Sequence, residues 1–408
     1  MMSVNIRSMK NKVVIIGSGI VGMTIAYQLL TRKLSKDILI IEKENLPGKH
    51  TSGRNSGVVH SGLYYKPDSL KAKVCVKGAK RLRKWVSDRN LYLNKCGKII
   101  LPTNEYLNKR IEELYNRGKK NGCNVEIWDL AKLKKKFPYV NLTCRRALWS
   151  PDTSIISPKE ILSTLFDELK EKNVEFLFDS EITSVNQTMN FIEINNTKKI
   201  NFDYLFNCAG LNADKVAKLF DLGSNYKLMP FKGQYLQLKN NFKYKVSSNI
   251  YPVPDLNIPF LGVHFTPGSS GIYVGPTATL ALGRENYKGI DSLEPYSFIE
   301  NINILARQYL TGKNGFRRYF HEQAFQTFRP FFIKAAKELI PSVKAENFKY
   351  SKKSGIRAQL IDLKNFKLVD DFICIDTKNS IHVLNAISPA FTSGFELADL
   401  IINKSRII

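Results

Sequence analysis

Hydrophobic positions along the chain change period several times, and each change predicts an element. Lys12 to Ile16 is a short apolar run that breaks at Gly17, and from Ile20 to Leu30 the apolar residues recur at helical spacing. Ile38 to Ile41 is a second apolar run, ending at Glu42. Strand, tight turn, helix and strand in so short a stretch form a βαβ unit, whose crossover makes the two strands parallel. Leu70, Val74, Leu82, Trp85 and Val86 share one face of a helix predicted from about Ser69 to Asn90. Lys98 to Leu101 and Glu126 to Trp128 read as strands around a helix rich in Lys, Arg and Glu. Pro158 to Lys170 is predicted helical, with strands at Val174 to Phe178, Glu181 to Val185 and Tyr204 to Cys208, the last stopping at Ala209 and Gly210. Residues 226–290 read as several strands with turns at PVPD and TPGSSG, and 296–340 as helices. A strand pair turning at Lys364 and Asn365, a strand at Ile381 to Leu384 and a helix from about Thr392 to Asn403 close the pattern.

Elements of βαβ type at both ends thus enclose a mixed middle. The expected architecture is α/β, with a Rossmann-type dinucleotide domain discontinuous over 1–95, 150–215 and 345–408. A mixed-sheet α+β substrate domain is expected over 96–149 and 216–344.

The first break carries chemistry. VVIIGSGIVG fits GxGxxG through Gly17, Gly19 and Gly22, where glycines permit the tight turn, the approach of a pyrophosphate and close helix packing. Glu42, roughly 20 residues past the last glycine, ends the next strand where a carboxylate accepts from ribose hydroxyls. An acid there disfavours a 2′-phosphate, so NADP is not expected. FAD and NAD share the fingerprint, and the stretch TSGRNSGVVHSG after the second strand offers amides and hydroxyls to a long cofactor.

Composition narrows the class. A chain of 408 residues with 43% hydrophobic content supports a large core, and the opening residues carry no secretory apolar run. No apolar stretch reaches the ~18 residues of a membrane span. A cytoplasmic protein is expected, soluble or peripheral on the cytoplasmic membrane. The six cysteines have no metal-like spacing, and no metal is expected. Net charge is +26, from 62 basic and 36 acidic residues, but it is spread along the chain among abundant Asn and Ile. Codon bias accounts for it first and attraction to an anionic membrane second; without an arginine arm interleaved with aromatics, nucleic acid is not expected.

Taken in order, KVVIIGSGIVG, NSGVVHSGLYYKPDSLKAKVCVKG, CGKIILPT, NCAGLNAD, IYPVPD with PFLGVHFTP, GIRAQ, LVDDF and NAISPAFTS resemble the D-amino-acid oxidase class of FAD enzymes. Within that class they resemble the L-2-hydroxyglutarate dehydrogenase and oxidase family, collinearly over almost the whole chain. The resemblance implies a D-amino-acid-oxidase-like fold, FAD as cofactor, and oxidation of L-2-hydroxyglutarate to 2-oxoglutarate by hydride transfer from the α-carbon to flavin N5. It implies cofactor contacts at Gly17, Gly19, Gly22 and Glu42, at Asn55, Ser56, Gly57 and His60, at Ala209 and Gly210, and at Ser388, Pro389 and Ala390. The family's FRGEY or FRGDY reads FKGQY here from Phe231, and Gly268, Gly283 and Arg54 stand where the family has Arg, Lys and His.

Oxidising a 2-hydroxy acid needs a base for the hydroxyl proton and a cation for the carboxylate. Histidine is the natural base near neutral pH. His264 is the first candidate, since with Tyr251 it resembles the tyrosine and second residue that face the flavin from neighbouring strands in related amine and amino-acid oxidases, and His60 is the second. His382 reads as a strand residue, while His50 and His321 lack supporting context. Arg357 in GIRAQ resembles the arginine with which amino-acid oxidases hold a carboxylate, and Arg284 and Lys232 are candidates for a second acidic group. Oxygen or a quinone would accept the electrons. The alternatives are oxidation of another 2-hydroxy acid, an amino acid or an N-methyl amino acid, and, from another class, an RNA-binding flavoprotein that modifies tRNA.

Overall fold

In the computed structural model, which describes residues 12–254, 261–311, 317, 325 and 328–407, two sheets of different character share the chain. The first has six strands, in the order 374–376, 380–383, 204–207, 13–16, 38–41 and 175–177. Val13–Ile16 runs parallel to both neighbours, with Val13 beside Ile38 on one side and Tyr204 on the other. Its residues are apolar throughout because both faces are covered. Val13 and Ile15 join a core with helices Ile20–Thr31, Leu70–Asp88 and Gly394–Lys404, whereas Val14 and Ile16 pack against a small antiparallel sheet built from residues 182–201. On the helical side Phe395 meets Tyr27 edge-on at 5.4 Å and Trp85 at 5.6 Å.

Helix Leu70–Asp88 starts where it does because its first amides have partners. Ser69 Oγ accepts from Ala72 N–H at 3.1 Å, and the Asp371 carboxylate accepts from Leu70 and Lys71 N–H at 2.8 and 3.1 Å. Asp371 lies in the LVDDF segment, which therefore ties the far end of the chain to this helix.

The second sheet has ten strands, mixed in direction, and runs 367–368, 348–362, 226–238, 271–275, 264–268, 249–252, 98–101, 146–150 and 126–129, with 279–280 beside 226–238. The expected boundary at residue 345 is corrected here. Phe348–Asp362 pairs along Tyr226–Leu238 and so belongs with the substrate-side sheet. The sequence predicts a strand here, but its partner is set by long-range pairing that no local pattern displays. Arg146–Ser150 and Ser154–Ile156 are strands the periodicity did not reveal. Helices Pro295–Thr311 and Arg329–Leu339 fall within the expected helical stretch, and His321 lies outside the described residues. Among the described residues no helix is long and apolar enough to cross a membrane, and all six cysteines are free.

Candidate active site

A channel of about 500 Å³ runs between the sheets, from the glycine turn to the face of the second sheet. Gly17 has φ of +100°, and a Cβ there would stand 2.5 Å from the Cys208 carbonyl oxygen, so glycine alone lets these strand ends lie side by side. At Gly22 a Cβ would fall 2.0 Å from the Gly17 carbonyl oxygen; this glycine serves helix packing and does not line the channel. Gly19 does line it, facing Ser52, whose Oγ accepts from Ile20 N–H at 3.0 Å. Helix Ile20–Thr31 has no acidic residue in its first turn, so its positive end meets the channel uncompensated. Glu42 is held by Ser18 N–H and hydroxyl at 2.9 and 2.7 Å and by Glu44 N–H at 3.0 Å.

Further along, Asn55, Ser56 and His60 line one wall, Ala209 and Gly210 another, and the turn Ser388 to Ala390 a third. Gly57 is a correction. It does not line the channel, and its φ of +79° and tight approach to the Ile156 carbonyl oxygen make it a bend between loop and strand. Asn55 braces that bend, donating to Ser52 carbonyl at 2.6 Å and accepting from Gly57 N–H at 2.8 Å.

At the far end Tyr235, Tyr251, His264 and Arg357 project from four strands of the second sheet. The His264 ring stacks on Tyr251 at 3.8 Å between centroids. His264 Nδ1 lies 2.7 Å from the Gly262 carbonyl oxygen, which only accepts, so Nδ1 carries the proton and Nε2 keeps its lone pair. Burial pushes His264 down to about 3, with Lys98 and Arg357 adding to the effect and the Gly262 carbonyl opposing it. His60 is also held well below its ordinary range, first by burial, then by Lys98 and His264. Its Nε2 is 3.4 Å from Ser388 Oγ, and its Nδ1 is buried without a hydrogen-bond partner among the described residues. Arg357 donates to the Thr277 carbonyl at 3.4 Å.

Two expected substrate cations lie elsewhere. Arg284 is 4% exposed and forms a buried ion pair with Asp214, while also donating to the Leu211 carbonyl at 2.6 Å. Lys232 alternates to the other face of its strand from Gly233, and its Nζ donates to Asn286 Oδ1 at 2.6 Å. Neither lines the channel. The sequence displays their charge but not Asp214 or Asn286, which are distant in the chain.

Sequence reasoning also missed residues. Lys98 stands fully buried beside Tyr251, and a lysine heading the otherwise apolar run KIIL was the available signal. His50, Glu44 and Glu285 approach within ligand reach of one another, but Lys43 and Lys49 occupy the same cluster and supply its positive charge. His50 also contacts Tyr287 hydroxyl at 3.0 Å, and Arg54 lies over the Tyr287 ring at 3.9 Å. Together with the Thr51 hydroxyl donating to Ile356 carbonyl at 3.1 Å, these contacts join the two sheets along the channel.

These walls fit a flavin dinucleotide. The glycine turn and helix end suit a diphosphate, and Glu42 has lone pairs left for ribose hydroxyls. A long passage then leads to a histidine with an orphaned ring nitrogen. The family described as "FAD dependent oxidoreductase" matches residues 12–403. Human mitochondrial L-2-hydroxyglutarate dehydrogenase is 35% identical, over 96% of this chain and 88% of its own. The Escherichia coli K12 protein named L-2-hydroxyglutarate dehydrogenase is 31% identical, over 97% and 93%. Among solved structures, FAD-bound L-alpha-glycerophosphate oxidase from Mycoplasma pneumoniae superposes with a TM-score of 0.74 at 21% identity, over 96% of this chain and 94% of its own. Glycine oxidase from Geobacillus kaustophilus gives 0.69 at 13% identity, over 96% and 93%.

Proposed function

This chain belongs to the D-amino-acid oxidase family of FAD-dependent oxidoreductases, and from that premise we propose that it oxidises L-2-hydroxyglutarate to 2-oxoglutarate. The observation that carries this reading is the likeness, across nearly the whole chain, to dehydrogenases of that substrate in organisms as distant as a bacterium and a human.

Bound FAD supplies the two-electron acceptor for the hydride that leaves the α-carbon. The residues that would hold it are Gly17, Gly19 and Glu42 at the dinucleotide end, with Asn55, Ser56, His60, Ala209, Gly210 and the Ser388 to Ala390 turn beyond. Arg357 binds the α-carboxylate, its planar guanidinium offering paired donors. His264 Nε2 takes the hydroxyl proton, since a neutral imidazole is an acceptor and the Gly262 carbonyl fixes its tautomer. Tyr251 keeps that ring from rotating by stacking on it. His60 is the alternative base.

Anaerobic mixing tests the reading. L-2-hydroxyglutarate should bleach the flavin absorbance and release 2-oxoglutarate, and the D enantiomer should not. Bleaching by lactate at the same efficiency would show no preference for a dicarboxylate, and faster bleaching by an amino acid would sink the hydroxy-acid reading. Restoring colour with air, then separately with a quinone analogue, identifies the electron acceptor.

A further inference from the structure

One buried charge is used neither by the fold nor by the steps above. Lys98 is 1% exposed, on the central strand Lys98–Leu101. Among the described residues no carboxylate pairs with it. Its Nζ lies 4.3 Å from the centroid of the Tyr251 ring and 5.0 Å from that of Tyr64. The His264 ring stacks on the same Tyr251 ring, 3.8 Å between centroids. Tyr251 thus contacts both the lysine and the imidazole. Lys98 does not line the channel, so it does not reach substrate; it acts through its neighbours.

Burying an ammonium without a carboxylate is costly, and a fold that keeps one gains something else from it. We infer that Lys98 is a positioning residue for proton removal, its charge acting past Tyr251 and across to His60 to keep both histidines in their base form. A like charge disfavours a protonated imidazole, which is the direction required of a base. The groups facing His264 are Lys98, Tyr251, His60 and Arg357, and those facing His60 are Lys98, His264, Ser388 and Cys75, a thiol that burial pushes up and so keeps neutral. None is acidic, so nothing cancels the lysine. Burial lowers Lys98 to about 7, which leaves it charged at the acidic pH where histidines would otherwise protonate. This role deepens the proposed hydroxy-acid oxidation and rests on it for its catalytic meaning.

The test combines histidine NMR of the FAD-loaded protein with the pH dependence of anaerobic flavin reduction. Cε1-labelled histidines, identified through His60→Asn and His264→Asn, should show neither His60 nor His264 titrating near 6.5 in the parent. Lys98→Met should move at least one midpoint upward by about one unit, and the acidic limb of flavin reduction should move the same way. Lys98→Arg, which keeps the charge, should restore the parent midpoints. A parent in which both histidines titrate at or above 6.5 overturns the inference without any variant, which covers failure of Lys98→Met to fold. Unchanged midpoints in a folded Lys98→Met overturn it too, as does Lys98→Arg behaving like Lys98→Met. If L-2-hydroxyglutarate fails to bleach the parent flavin, the proposed substrate is wrong, while the NMR titration still decides what Lys98 does to the histidines.

Discussion

At the scale of the residue, the proposed roles separate binding from proton transfer, and substitutions should separate them as well. Arg357→Lys exchanges a planar fork for a point charge and should weaken substrate binding, whereas Arg357→Ala, which removes the charge-assisted pair, should cost roughly 2 to 5 kcal/mol. FAD content should stay at the parent level. His264→Asn removes the Nε2 acceptor and should slow flavin reduction ~100-fold or more with little change in binding. Single-turnover traces decide this: a His264→Asn protein that reduces its flavin at the parent rate, beside a slowed His60→Asn, would transfer the role to His60. Lys232→Ala, whose parent side chain bonds Asn286 away from the channel, should leave both parameters unaltered. The same scale shows what a sequence can reveal. Gly17, Gly19 and Glu42 are legible because backbone chemistry fixes their spacing. Arg284 is not, because its role is decided by Asp214, which the chain brings up only after folding.

At the scale of the element, the first helix depends on a contact with no tolerance. A Cβ at Gly22 would be 2.0 Å from the Gly17 carbonyl oxygen, and both atoms belong to backbone that cannot yield separately. Gly22→Ala should push the helix off its strand, tilt its N-terminus from the diphosphate position, and yield protein with a lower melting temperature and depleted FAD. A yellow, fully loaded Gly22→Ala protein of parent stability would show that the helix has room the geometry denies. Elements of strong period were readable in advance, among them Ile20–Thr31 and Leu70–Asp88. Short strands such as Ser154–Ile156 were not, since their partners Val58–Val59 and Leu93–Asn94 are brief and remote in sequence. Phe348–Asp362 was misassigned for a related reason: pairing with Tyr226–Leu238 decides its sheet, and pairing is a tertiary fact.

For the whole molecule, buried histidines make stability depend on pH. Burial lowers His382 to about 4, where its ring contacts Asn207 and Ser380, and lowers His264 to about 3. Unfolded histidine binds a proton below about 6.5. The native state does not until pH reaches these lower values, so the unfolded chain holds more protons between them, and stability falls as pH falls. By pH 5 each group costs about 2 kcal/mol relative to pH 7. Urea midpoints at the two pH values, at fixed FAD, should show the loss, and His382→Asn should show a smaller one. Equal midpoints in the parent would refute the account.

The order of strands in the first sheet also governs how the protein can be made. Val13–Ile16 has Tyr204–Asn207 as a neighbour, that strand has Ser380–Val383, and helix Gly394–Lys404 covers Ile20–Thr31. During synthesis, which proceeds from the N-terminus, the glycine turn emerges more than 350 residues before Ser380–Val383, which its sheet needs to be complete. Until then the flank of Ile20–Thr31 that Gly394–Lys404 covers stays open, although its opposite flank already rests on Val13, Ile15, Ile38 and Ile40. The cofactor channel, walled in part by Ser388 to Ala390, is complete only once that late stretch of chain has docked.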